Sequence, residues 1–80
     1  MRLDKYLKVS RIIKRRTVAK EICDAGRVTI NGRAAKSSSD IKVGDIIEIN
    51  FGQKASKLEV LQVAENARAE ESKEMYRSLA

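Results

Sequence analysis

The chain has 80 residues, with 17 Lys plus Arg against 11 Asp plus Glu, a formal charge of +6, one cysteine and no histidine, proline or tryptophan. That is one small domain with a thin core, and it excludes histidine-dependent catalysis, a cysteine–histidine zinc site and an intrachain disulfide, so no cofactor is expected. No apolar run nears the ~18 residues of a membrane span, and Met1 leads straight into Arg2, Asp4 and Lys5 without a signal-peptide core, which points to a cytoplasmic protein with no membrane partner.

Leu3, Tyr6 and Leu7 fall on one face at helical spacing, predicting a short amphipathic helix over roughly residues 3–10 with Arg2, Lys5 and Lys8 turned away from the core. The charged stretch 10–16 reads as a tight connection in which Ile12 and Ile13 anchor a turn. Thr17 is the expected N-cap of a second helix whose Val18, Ile22 and Ala25 share a face, and Gly26 supplies its left-handed end. The period then drops to two. Val28 and Ile30 alternate with Thr29 and Asn31, and Asn31-Gly32 signals a β-hairpin. A polar loop at 37–40 and a turn at 43–45 lead into an apolar strand over 46–51, a turn at 52–56 and a last strand over 58–63. From residue 64 the composition shifts to Ala, Glu, Arg and Ser, which predicts a frayed helix or tail over 64–80 outside a domain of residues 1–63. The expected fold class is α+β: two short N-terminal helices packed on a small, mostly antiparallel sheet.

The charge is polarised. Residues 1–36 carry 11 basic and 3 acidic side chains, whereas residues 37–80 carry 6 and 8. A positive field focused on one part of the surface suits a polyanion, since phosphate backbones release counterions to such patches. Arg2 and Lys8 stand off the first helix, Arg11, Lys14, Arg15 and Arg16 crowd its exit, Lys20 sits early in the second helix, and Lys36 extends the ridge beyond the hairpin. Arginine's planar fork matches phosphate, and the helix start near Thr17 adds donors for the same anion. Asp4 stands alone as an acid within this ridge. It either orients Arg2 or Arg16 through a salt bridge or favours the helix amino terminus.

Tyr6 is assigned to the apolar stripe, Phe51 to a strand and Tyr76 to the tail, so base stacking is not expected and shape-read, folded RNA fits better than single strands. Cys23 flanks the apolar face of the second helix and reads as a small buried hydrophobe.

The run Arg2-Leu3-Asp4-Lys5-Tyr6-Leu7-Lys8, with Ser10-Arg11, Arg15-Arg16-Thr17, Gly26-Arg27-Val28, Ile30-Asn31-Gly32 and Val43-Gly44-Asp45, resembles the RNA-binding domain named after small-subunit ribosomal protein S-four, over about residues 1–50. The resemblance implies two helices and a hairpin forming a surface for structured RNA. Among standalone members the chain is most similar to the RqcP type of ribosome-associated quality control, with the heat-shock ribosome-binding type, which recycles stalled large subunits, as the alternative; the basic face by itself also admits a protein-interaction adaptor that docks an acidic partner. That similarity implies a non-enzymatic monomer on obstructed large ribosomal subunits, touching large-subunit rRNA and peptidyl-tRNA and supporting alanine tailing by an RqcH-type factor. It puts Arg2, Asp4 and Arg16 first among the contact residues.

Overall fold

The computed structural model describes residues 1–79. Helices α1 (Leu3–Val9) and α2 (Arg16–Asp24) precede strands β1 (Val28–Ile30), β2 (Arg33–Ala34), β3 (Ile46–Asn50) and β4 (Ala55–Val60), then a one-turn helix α3 (Ala69–Ser72) and strand β5 (Tyr76–Ser78). The strands form one antiparallel sheet in the order β2-β1-β3-β4-β5. The expected α+β class holds.

Period-two alternation decides which side of the sheet is core. Ile47 and Ile49 are buried while Glu48 and Asn50 are exposed. Register puts Val28 opposite Ile49, and both Ile30 and Leu58 opposite Ile47, so the middle of the inner face is apolar, with Ser56 beside Ile49 towards the edge. Leu3, Tyr6 and Leu7 of α1 and Ala19 and Cys23 of α2 close over it in a single cluster. At α2 the buried stripe is therefore rotated from the expected Val18, Ile22 and Ala25. Ala19 and Cys23 are fully covered, Ile22 is half-buried, and Val18 and Ala25 face solvent. Small residues serve at this helix–helix contact, where α1 already supplies bulky Tyr6 and Leu7.

The turns follow the residue chemistry. Gly26 (φ 77°) ends α2: its N–H donates to the Cys23 carbonyl at 3.0 Å and that of Arg27 to Ile22 at 3.2 Å, a Schellman closure. Asn31 and Gly32 (φ 52° and 82°) both take the left-handed conformation of a type I′ hairpin turn. The Asn31 side chain also ties this hairpin to the next strand, donating to Asp45 at 3.1 Å and accepting the Ile46 N–H at 2.9 Å. The turn after β3 is shorter than expected, occupying 51–54, so β4 starts at Ala55 and ends at Val60, and Phe51 lies outside the strand.

The segment beyond residue 63, expected as a frayed helix or tail, holds the short α3 and also a strand the reading does not include. Tyr76–Ser78 pairs with Leu58–Val60, and Met75 is buried in the core. The Met75 carbonyl accepts hydrogen bonds from the Leu61 N–H at 2.9 Å, the Gln62 N–H at 3.2 Å and the Tyr6 hydroxyl at 2.7 Å. Two successive amides on one carbonyl end the β4 ladder, and the hydroxyl fastens α1 to the end of the chain.

Tyr6→Phe is expected to cost about 1 kcal/mol, the net worth of one such bond, because Met75 keeps its two amide donors. Burial, with a smaller contribution from Tyr76, also raises the Tyr6 phenol above its ordinary pKa. A raised folded-state pKa gives stability that is complete below pH ~10 and is lost as pH climbs through the alkaline range. Urea unfolding at neutral pH and at pH 11 checks both points: the deficit of Y6F relative to the native protein shrinks at the higher pH.

Candidate nucleic-acid interface

Asp4 is the organising residue. It lies one residue into α1, its side chain is only 3% exposed, and Oδ1 accepts the Lys5 N–H at 2.8 Å, satisfying an amide of the helix's open first turn. The same oxygen accepts from Arg2 Nε at 3.2 Å, while Oδ2 takes Arg16 Nε at 3.4 Å and Arg2 Nη2 at 3.4 Å. The two readings of Asp4 are thus both realised: one carboxylate serves its helix and gathers an arginine from each side of the helix pair. Both arginine side chains remain about half exposed, 50% for Arg2 and 48% for Arg16. With Nε turned to Asp4, the outer edge of each guanidinium stays accessible to an anion.

Helix α2 begins two residues earlier than expected. Arg15 (φ −123°, ψ 131°) is the N-cap, no side chain caps it, and Thr17 lies within the first turn. Arg16 is held by Asp4, so the chain enters the helix at that residue and Thr17 cannot take the cap position. Arg2, Asp4, Arg16, Thr17 and Lys20 together line a shallow depression of about 310 Å³. Cationic side chains, the threonine hydroxyl and the uncapped end of α2 make it a setting for phosphate.

The other expected residues surround this depression without lining it. Lys8 is exposed one helical turn beyond Asp4, on the same flank of α1. Arg11, Lys14 and Arg15 are exposed along the connection at 10–15, where Arg11 takes a left-handed conformation (φ 62°) and buried Ile13 holds the loop down through its N–H, donated to Leu7 at 3.1 Å. Lys36 lies near Lys20 across Asp24. The Ser37 backbone N–H donated to Asp24 at 3.2 Å holds that carboxyl below its usual range, with the Ser37 side chain and then the two lysines adding to the effect. Among the described residues none of Lys8, Arg11, Lys14, Arg15, Lys20 or Lys36 forms a salt bridge, whereas Lys5 is paired with Glu65. The ridge is therefore a set of accessible cations around one pre-arranged pair.

Cys23 belongs to the core: burial first, then the Asp4 and Asp24 carboxylates, push its thiol up to about 11 and away from thiolate chemistry. Among the described residues no cluster of His, Cys, Asp and Glu suits a metal ion, and no helix is long and apolar enough to cross a membrane. The expected site omits Arg27 and exposed Phe51. Phe51 is expected in the strand over 46–51, but the chain leaves the sheet after Asn50 and the ring is exposed at the start of the following turn.

Residues 1–47 match the S4 domain. The RQC P-site tRNA stabilizing factor of Streptococcus pneumoniae is 58% identical over 76 residues, covering 95% of this chain and 86% of the relative. The factor of the same name from Bacillus subtilis is 54% identical, covering 95% and 88%. The structure of Heat Shock Protein 15 from Vibrio cholerae superimposes with a TM-score of 0.90 at 31% identity, over 100% of this chain and 82% of that one. The two factors are named for stabilizing P-site tRNA and not for a reaction. The match to the S4 domain spans both helices, the hairpin and the Asp4-centred depression, and the similarity to the stabilizing factors covers 95% of the chain: the chain belongs to the S4-domain family, in its branch of RQC P-site tRNA stabilizing factors.

Proposed function

We propose that the protein is a non-enzymatic RNA-binding factor that seats its α1–α2 ridge against large-subunit rRNA and peptidyl-tRNA on obstructed ribosomal subunits in the cytoplasm. There it holds the tRNA in the peptidyl site so that an RqcH-type partner can extend the stalled chain with alanine. The observation that carries this reading is the Asp4-centred arrangement of Arg2 and Arg16 beside Thr17 and Lys20. Two guanidinium groups fixed by a buried acid present donors at set positions, which suits phosphates of a folded RNA better than a flexible chain. The names of its relatives, which specify P-site tRNA, support the choice of RNA. The chain acts as a monomer in this reading, with Lys8, Arg11, Lys14, Arg15 and Lys36 supplying further phosphate contacts.

Gradient sedimentation tests it. Tagged protein is expected to travel with large subunits bearing peptidyl-tRNA, and protein remaining at the top of the gradient while such subunits are abundant refutes the assignment. With about six phosphate contacts, log affinity for the isolated RNA should fall against log salt with a slope of roughly −4 to −5; a flat response removes the ridge from the interface. The likeness to Heat Shock Protein 15 favours one second reading, a factor that recycles stalled large subunits. Loss of alanine tails on stalled products in cells lacking the protein selects the first reading; tails that persist while blocked subunits accumulate select the second.

A further inference from the structure

Phe51 is 39% exposed, whereas Tyr6 is fully buried and Tyr76 half-buried. It begins the turn after β3, where its N–H donates to the Lys54 carbonyl at 2.8 Å and Gly52 (φ 97°) reverses the chain. Together with Ile22 and Ala25, Phe51 lines an open and mainly apolar depression of about 290 Å³, rimmed by Glu21, Arg27 and Asn50. Its position is fixed by backbone: the Asn50 N–H donates to the Arg27 carbonyl at 2.8 Å, and Arg27 itself is held by the Schellman closure of α2. The Arg27 guanidinium lies over the turn, with Nη1 3.7 Å from where a methyl group on Gly52 would stand. Arg27 also borders the adjoining groove that contains Lys54.

We infer that Phe51 is a stacking platform for one unpaired nucleobase of the bound RNA, with Arg27 and Lys54 receiving the adjacent phosphate. This inference rests on the RNA-binding reading above and adds a second contact to it. An exposed ring, a neighbouring guanidinium and an apolar floor are the elements by which proteins hold a splayed base. Glu21 on the opposite rim repels phosphate and accepts hydrogen bonds, so it fixes the polarity of the contact, with the backbone on the Arg27 side and an amino-bearing base edge towards Glu21. The depression flanks the second half of α2, roughly 8 Å along the helix from the Asp4-centred site at 1.5 Å per residue, and on the opposite flank, across the exposed face of α2 that carries Glu21 and Asp24. One RNA can therefore engage both. The ridge positions the helix, and the ring takes a base from a bulge or loop beside it.

The chain has no tryptophan, so F51W places a single indole at the proposed platform. Titration with deproteinised large-subunit rRNA and with tRNA, followed by gel shift and by indole emission, tests the inference. Emission is expected to be quenched at saturation with one of the two RNAs, with protection from acrylamide. F51L, which keeps an apolar side chain but no ring, should bind that RNA on the order of ten-fold more weakly. Circular dichroism of both variants should match the native protein, since Phe51 is outside the core. Unquenched, acrylamide-accessible emission from F51W at saturation overturns the inference while leaving RNA binding in place, as does F51L binding like the native chain. Should F51L bind naked RNA normally and lose only association with protein-bearing subunits, the face serves a protein and the inference is wrong. If the native protein binds neither RNA, the functional reading and this one fall together.

Discussion

Asp4→Asn is expected to weaken RNA binding on the order of ten-fold, although it makes the protein more positive by one charge. Asparagine keeps an oxygen for the Lys5 N–H but offers the two arginines a neutral amide in place of a carboxylate. Stability should change little. Arg2 and Arg16 are half exposed, and salt bridges with such screening contribute only about 0–1 kcal/mol each. Binding is different, because releasing two side chains means that each must be immobilised again on the RNA at about 0.5–1.5 kcal/mol. The combined loss approximates one decade in affinity. Diffuse attraction predicts the opposite sign, since removing an acid from a basic face strengthens non-specific phosphate binding. Gel-shift titrations of the native protein, D4N, R16A and the double variant at one salt concentration separate the two. Positioning requires that D4N and R16A each weaken binding and that the double variant lose less than the sum, because both changes dismantle one unit. Tighter binding by D4N would falsify the positioned-pair account.

That sign depends on tertiary structure, and here the reach of sequence reasoning is visible. The α1 stripe, the Gly26 closure, the Asn31-Gly32 turn and the alternation at Ile47 and Ile49 are local signals: each residue's conformational preference agrees with the fold around it. The ridge was legible as a density of positive charge. Its internal arrangement was legible only in part: the sequence offers Asp4 a salt bridge to Arg2 or to Arg16, but one carboxylate holds both only once α1 and α2 pack and bring Arg16, twelve positions away, beside Arg2. The face of α2 was misjudged for a related reason. Val18, Ile22 and Ala25 are as good a helical stripe as Ala19, Ile22 and Cys23, and only the closeness of α1 selects the smaller pair for burial. Phe51 continues the period of Ile47 and Ile49, yet the chain reverses at that residue. Strand β5 is too short to show alternation, and its buried neighbour Met75 owes its place to contacts formed near the other end of the chain.

Ending the chain at Val63 is expected to abolish cooperative folding, although the removed segment reads as a polar tail. An 80-residue domain has a total stability of about 4–12 kcal/mol at typical values per residue. Replacing buried Met75 by alanine alone should cost about 2–5 kcal/mol, a large share of that margin. Truncation removes in addition the three β4–β5 residue pairs, the carbonyl that receives Tyr6, and the Lys5–Glu65 pair. It also exposes the β4 edge beside Leu58 and Val60. Urea denaturation of the full chain, M75A and the truncated chain gives the measure: M75A should retain one transition at a lower midpoint, and the shortened chain should show none. An unchanged midpoint after truncation would mean that residues 64–79 only rest on a domain complete without them. The consequence extends to function, because Tyr6 connects Met75 to the helix that carries Asp4. Weakening the C-terminal strand therefore loosens the base on which Arg2 and Arg16 are aligned, and M75A should bind RNA more weakly than the native protein at temperatures where it is still folded.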